Sequence, residues 1–148
     1  MTRHRYIRLV LDTMVVVRGA RALRQQPPPI IRPELRIIDG WLDDKTLFEW
    51  IYSQQIIDEY REVLKRLGVP HSAVGRLINV LRRNAIEVEA ADAGSFSPDP
   101  KDDPFYHYAL AADADCIVTD NLSDFPPLAD RKRPVIVTPT EMEKLLFD

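Results

Sequence analysis

The chain has 148 residues, of which 45% are hydrophobic and 29% charged, and its net charge is −3. This length and composition are those of an ordinary globular domain with a substantial core, so we expect one domain over residues 1–148. The small negative charge excludes a chain-wide attraction to nucleic acid, and no apolar run approaches the ~20 residues of a membrane span.

Strand-like and helix-like patterns alternate, which predicts an α/β fold with a parallel sheet and helical crossovers. In chain order, the patterns predict a strand at 6–11, helices at 18–26 and 33–42, a strand at 46–52, helices at 54–67 and 72–83, a strand at 85–88, a helix beginning at Asp103, strands at 116–119 and 135–137, and a last helix beginning at Pro139.

Punctuating residues support several of these boundaries. The proline triplet 27–29 is expected to end the polar helix before it, because prolines lack a backbone donor and fix an extended chain. Ser53 is a good N-cap and Gly68 a good stop for the helix between them. The single cysteine, Cys116, cannot form an internal disulfide. It lies in an apolar strand, so we expect a buried, inert thiol and a cytoplasmic location.

Four acidic residues occur at the ends of predicted strands or at the starts of predicted helices. They are Asp12, Glu59, Asp103 and Asp124. An open α/β sheet binds its ligands in the crevice outside the carboxyl ends of its strands, and clustered carboxylates repel each other unless a cation holds them. Oxygen ligands suit Mg²⁺ or Mn²⁺, so the pattern predicts a metal site and points toward phosphodiester chemistry.

Three of the four acids also have a simple structural explanation. Asp103 precedes Pro104 and is a good N-cap, Glu59 fits a solvated helix face, and Asp124 fits the cap of a turn. Asp12 is harder to explain structurally because it ends a strongly apolar run. The spaced set therefore favours a shared site. The adjacent acids rank lower; they are Asp58, Asp102 and Asp120, the last as a substitute for Asn121.

The ordered set of motifs resembles the PIN domain, and within that family the VapC-like toxins of toxin–antitoxin pairs. The resemblance covers essentially the whole chain and is carried by Leu11-Asp12-Thr13, by Ser53 with Ile56, Ile57 and Glu59, by Asp102-Asp103, by residues 114–119 and by Asp124-Phe125.

The resemblance implies a three-layer α/β/α fold around a mainly parallel five-stranded sheet. It implies a Mg²⁺- or Mn²⁺-dependent endoribonuclease, the toxin of a toxin–antitoxin pair, and commonly a homodimer neutralised by an antitoxin protein. The family's first three acidic positions correspond to Asp12, Glu59 and Asp103. Its fourth acidic position corresponds to Asn121 and Asp124, so one of the two side chains there is an amide.

Three arginines recur at helical spacing after the first strand. Arg18, Arg21 and Arg24 are predicted to bind RNA phosphates, which would supply affinity without reading sequence. A solvated helix face or a contact with an antitoxin would explain the same spacing.

Position 14 departs from the family pattern, which usually has asparagine two residues after the first aspartate. Here Met14 follows Asp12, and in an extended chain both side chains would point to the same side. A thioether orients a carboxylate or a water poorly, so Met14 and Asn121 keep open an alternative. In it, the chain is a catalytically weakened PIN-like module that binds RNA or protein. A phosphoacceptor receiver domain is disfavoured because Thr138, rather than lysine, precedes Pro139.

Overall fold

The computed structural model describes residues 6–25 and 32–148, and within them an all-parallel sheet is flanked by helices. Its five strands are β1 Arg8–Leu11, β2 Glu49–Tyr52, β3 Ile86–Glu87, β4 Cys116–Val118 and β5 Val135–Val137. The six helices are α1 Thr13–Leu23, α2 Pro33–Asp43, α3 Gln54–Arg66, α4 His71–Asn84, α5 Asp103–Ala111 and α6 Pro139–Phe147. A 3₁₀ turn, Pro100–Asp102, precedes α5.

The strand order is β3-β2-β1-β4-β5, so the chain first builds outward from β1 in one direction and then returns to its other side. Leu9 pairs with Trp50 of β2 on one side and with Cys116 of β4 on the other. Right-handed crossovers in opposite directions place helices on opposite faces of a parallel sheet. The predicted α/β/α fold with five central strands is confirmed.

Both faces of the sheet are covered. β1 is fully buried at Leu9, Val10 and Leu11, as expected for a central parallel strand. One aromatic cluster is formed by Trp41, Phe48, Trp50 and Tyr60. A second cluster, formed by Phe96, Phe105, Tyr106 and Phe125, packs around α5.

The helix ends follow local chemistry. The Ser53 hydroxyl accepts a hydrogen bond from the Ile56 amide at 3.1 Å and caps α3. Gly68 follows α3 with φ +90°, a conformation that favours glycine. Thr138 and Glu141 form a capping box at the start of α6. Cys116 is buried as expected, and burial raises the pKa of its thiol to about 11.

One predicted boundary is wrong in a way that matters for the site. The first helix begins at Thr13, five positions before the predicted start at 18, because the run of valines after β1 is helical. Met14 is therefore a helical residue, and the argument from an extended chain does not apply to it. The proline triplet 27–29 lies outside the described residues. No helix in the described ranges is both long and apolar enough to cross a membrane.

Candidate functional site

A cleft opens at the carboxyl ends of β1 and β4, where the chain reverses its direction of strand addition. Asp12 follows β1 directly, and its amide donates a hydrogen bond to the Val118 carbonyl at 3.0 Å. Thr119 follows β4, and its hydroxyl donates to the Asp12 carboxylate at 2.8 Å. This is the topological switch point at which open parallel sheets bind ligands. The backbone of the sheet thus fixes the first acid, which is only 9% exposed.

Glu59 approaches Asp12 from the second turn of α3. The Thr13 hydroxyl, at the first position of α1, donates a hydrogen bond to its carboxylate. Glu59 also acts on Asp12 electrostatically and favours its protonated form. The two acids, which are 47 positions apart in the chain, therefore face the same cleft.

A second group of acids closes the cleft from the other side. Carboxylate oxygens of Asp99, Asp102 and Asp124 lie within 4.8 Å of one another, and all three residues are half-buried. Asp99 caps the 3₁₀ turn by accepting a hydrogen bond from the Lys101 amide at 3.0 Å. Asp124 accepts one from the Asn121 side-chain amide at 2.8 Å. Among the described residues, this is the group of three acids whose oxygens are close enough to share one ion.

Electrostatics join the two groups into one site. Burial raises the pKa of Asp102 to about 7, and the charges of Asp12, Asp99, Asp124 and Glu59 add to that effect. Burial also raises the pKa of Asp12, although the hydrogen bond from Thr119 opposes the shift. Carboxylates resist ionising when they are crowded and desolvated together. A bound cation would reverse this preference.

Asp103 has a different environment from its neighbour Asp102. One of its carboxylate oxygens accepts hydrogen bonds from the amides of Phe96 and Ser97, at 2.9 and 2.7 Å. Asp103 is buried, 8% exposed, and does not line the cleft. It ties the loop before the 3₁₀ turn to the start of α5. Ser97 in that loop also donates to the Asp124 carbonyl.

The cleft has a volume of about 460 Å³. Five carboxylates line it, from Asp12, Glu59, Asp99, Asp102 and Asp120. The basic side chains that line it belong to Arg18 and Arg66. Arg18 already forms an ion pair with Asp120 at 3.0 Å. The cleft is thus strongly acidic, with an arginine on each of its two flanking helices.

The remaining predicted site residues divide between this cleft and its surroundings. Met14 lines the cleft and is 37% exposed. Asn121 lines it as well, and its backbone N–H donates a hydrogen bond to the Thr119 hydroxyl at 3.0 Å. Arg21 and Arg24 lie farther along α1 and line a neighbouring cavity instead.

Four residues that rank low in the sequence pattern, or are not singled out by it, belong to the cleft. Asp102 and Asp120 rank below the four selected acids, and the pattern does not single out Asp99 or Arg66. The signal for Asp99 and Asp102 is the segment Asp99-Pro100-Lys101-Asp102. Aspartate before proline is typical of a tight helical start, and such a turn brings acids three positions apart close together.

The donor set fits a hard divalent cation. Mg²⁺ and Mn²⁺ prefer carboxylate, amide and water oxygens, and Mg²⁺ sites commonly combine one or two protein carboxylates with substrate phosphate. Within the described part of the cleft, the chemistry-bearing side chains offer oxygen donors and neither thiolate nor imidazole. Residues 12, 59, 99, 102 and 124 can supply the required charge.

The chain matches the family model of the PIN domain over residues 8–123, and it therefore belongs to the PIN-domain family. PIN domains are generally metal-dependent nucleases, so membership and the acidic cluster together indicate a nuclease-type function. The match holds nothing specific to VapC-like toxins. No curated protein and no solved structure shows a significant match to the chain.

Proposed function

We propose that the protein is a metal-dependent endoribonuclease that uses Mg²⁺ or Mn²⁺. The observation that carries this proposal is the gathering of carboxylates from four chain segments at the switch point of the sheet, where burial raises the pKa of Asp12 and Asp102. Such an arrangement is costly without a cation. Asp99, Asp102 and Asp124, whose oxygens lie within 4.8 Å of one another, are the proposed ligands on one side of the site. Asp12 is proposed to bind the same ion from the facing side, with Asn121 beside Asp124.

The proposed role of Asp103 is positioning rather than ligation. By accepting two backbone hydrogen bonds it holds the loop that leads to Asp99 and Asp102. This modifies the sequence-based prediction, in which Asp103 was itself a ligand. At the start of α5, the residue proposed to bind the metal directly is Asp102.

A divalent cation held by these carboxylates would neutralise charge on the scissile phosphate and would lower the pKa of bound water. The chain's own residues contribute orientation. Thr119 holds Asp12, and Thr13 holds Glu59 on the facing wall. Glu59 is proposed to orient the attacking water and accept its proton. Fixed carboxylates of this kind reduce the reorganisation that the reaction needs.

RNA cleavage in the presence and absence of Mg²⁺ or Mn²⁺ tests the proposal. A mixed RNA pool is incubated with the wild type, with Asp12→Asn and with Asp43→Asn. Asp43 is an exposed acid at the end of α2 and serves as the charge-matched control. We expect cleavage that needs metal, a loss of at least ~100-fold in Asp12→Asn and no change in Asp43→Asn.

The same assay decides between cleavage and the module alternative. Wild-type protein that binds RNA but does not cleave it with either metal would favour a catalytically weakened binding module. Undiminished cleavage by Asp12→Asn would show that the acidic cleft is not the catalytic centre.

The toxin role is proposed as a separate, finer claim. It includes action in the cytoplasm, a homodimeric state and neutralisation by an antitoxin protein. Support comes from the sequence resemblance to VapC-like toxins, and the family match does not itself distinguish toxins from other PIN domains. Induced expression in a bacterial host is the test. Growth arrest by wild type but not by Asp12→Asn is expected, and normal growth with active enzyme would contradict the toxin role.

A further inference from the structure

The cleft continues along the groove between α1 and α3. On α3, Glu59, Val63 and Arg66 share one helical face and all line the cleft. Just beyond Arg66, a second cavity of about 210 Å³ lies between the ends of the two helices. Its lining includes Arg21 of α1, Arg24 directly after that helix, and residues 67–69 after α3. One surface path therefore leads from the acids to a basic region.

The basic region contains arginines that form no ion pair with a carboxylate of the described residues. We define the arginine track as Arg21, Arg24 and Arg66. Arg18, closer to the acids, is paired with Asp120 at 3.0 Å. Across residues 6–25 and 32–148, by contrast, no carboxylate forms an ion pair with a track arginine. Exposed guanidinium groups without carboxylate partners are available to bind phosphate.

Helix geometry separates the acids from the far end of the track. Arg66 follows Glu59 by seven residues, which is ~10 Å along a helix axis, and it lines the acidic cleft itself. Arg21 and Arg24 line the neighbouring cavity and not the cleft. We therefore expect a phosphate held at the carboxylates and a phosphate held by Arg21 and Arg24 to belong to different nucleotides.

We propose that the arginine track binds the phosphates of a single RNA strand on one side of the scissile bond. The proposal rests on the ribonuclease function proposed above and adds the path of the substrate. Asp12 is only 9% exposed, so the RNA backbone to be cut has to reach into the cleft, which an unpaired strand does more readily than a duplex. Met14 and Val63 give the cleft an apolar wall against which a nucleobase can pack.

The salt dependence of RNA affinity measures how many phosphates the arginine track contacts. Fluorescence anisotropy of a labelled single-stranded RNA is recorded in EDTA at several salt concentrations, with Asp12→Asn as the parent so that the strand stays intact. The test variants add Arg66→Gln or the pair Arg21→Gln and Arg24→Gln. The control pair, Arg131→Gln and Lys132→Gln, removes the same charge from the exposed loop before β5.

Each phosphate contact on a single strand contributes ~0.7 to the slope of log affinity against log salt. We expect the slope to fall by ~0.7 in Arg66→Gln and by ~1.4 in the pair on α1, with no change in the control pair. Arg66→Lys, which keeps the charge, should retain the parental slope. Thermal melts establish that all variants are folded.

The outcomes separate this proposal from the ribonuclease proposal. Equal slopes in parent and track variants, while wild type still cleaves RNA, would overturn the track and leave the cleavage proposal standing. A parent that binds no RNA, together with a wild type that cleaves none, would overturn both. Track variants that lose binding to polyglutamate but keep RNA binding would assign the arginines to an acidic protein segment and would also overturn the proposal.

Discussion

Asp102 and Asp103 are adjacent in the chain but face different surroundings. Asp102 faces the other carboxylates of the cleft, whereas Asp103 accepts two backbone hydrogen bonds from the loop at 96–97. Substituting Asp102 should therefore change metal binding, whereas substituting Asp103 should change stability. Comparing the two variants separates a metal ligand from a residue that positions the loop.

Replacing Asp103 with alanine is expected to lower stability. It leaves the amides of Phe96 and Ser97 without their acceptor, and a lost buried hydrogen-bond partner costs ~1–3 kcal/mol. Asp102→Asn should instead stabilise the metal-free protein slightly, because it removes repulsion, and should reduce the stabilisation by Mn²⁺. Urea unfolding with and without Mn²⁺ measures both effects. Equal metal responses in wild type and Asp102→Asn would contradict the assignment of Asp102 as ligand.

Asp102 also predicts how stability depends on pH. Its pKa is about 7 in the folded protein against an ordinary value of 3.8, so between these values the folded state binds more protons than the unfolded state. Stability in EDTA should therefore fall as the pH rises from about 4 through 7. Asp102→Asn should flatten this part of the profile. Wild-type and variant profiles with the same slope between pH 4 and 7 would refute the expectation.

Met14 is the residue at which the family resemblance predicts weakened catalysis. It lies on the first turn of α1 and lines the cleft beside Asp12. Met14→Asn would add an amide that can hydrogen-bond a carboxylate or water, so we expect cleavage to rise ~10-fold. Met14→Leu, which keeps the apolar bulk, should cleave like wild type. Equal rates for all three proteins would show that position 14 does not limit the reaction.

At the scale of elements, α1 is held close to α2 by a glycine. A Cβ built on Gly19 would lie 2.5 Å from Ile38 Cγ1 and 2.8 Å from the Glu34 carbonyl oxygen. Gly19→Ala should therefore push the helices apart and cost ~1–3 kcal/mol of stability. Gly75→Ala on α4 is the matched control, because nothing lies within 4 Å of its Cβ. That change should stabilise the protein by ~0.5–1 kcal/mol, because alanine favours helix. Denaturant midpoints compare the two, and an unaffected Gly19→Ala would contradict the close contact.

The order and type of the elements could be predicted because each leaves a local pattern. Buried parallel strands are apolar runs, and Ser53, Gly68 and Thr138 mark helix ends by their own chemistry. The start of α1 was missed because a run of valines favours a strand as an isolated pattern. Its helical state depends on packing against the sheet and against α2, which a local pattern does not contain.

Because a local sequence pattern does not contain tertiary packing, it could indicate some of the site residues and not others. Asp12 and Glu59 were placed at the cleft because a strand end and a helix face are defined by periodicity. Asp102 and Asp103 stand where a 3₁₀ turn passes into α5, and consecutive helical side chains point ~100° apart. A shift of one residue in the helix start therefore changes which acid faces the cleft. Sequence alone does not fix that start.

At the scale of the whole molecule, the site is a product of topology. β2 and β4 lie on opposite sides of β1, so segments distant in the chain meet outside its carboxyl end. Asp12 and Thr119 are brought into hydrogen-bond contact in this way across 107 positions of sequence. The groove between α1 and α3 then gives the acids an approach lined by arginine.

The central claim is that these acids form one cation-binding centre. Its most direct test is an anomalous difference map from crystals of the protein grown with Mn²⁺. We predict a peak within coordination distance, ~2.1 Å, of carboxylate oxygens of Asp12 and Asp102, and no Mn²⁺ ligand from Asp103. A cleft without a peak at saturating Mn²⁺, or a peak bound by Asp103 and not by Asp102, would contradict the account.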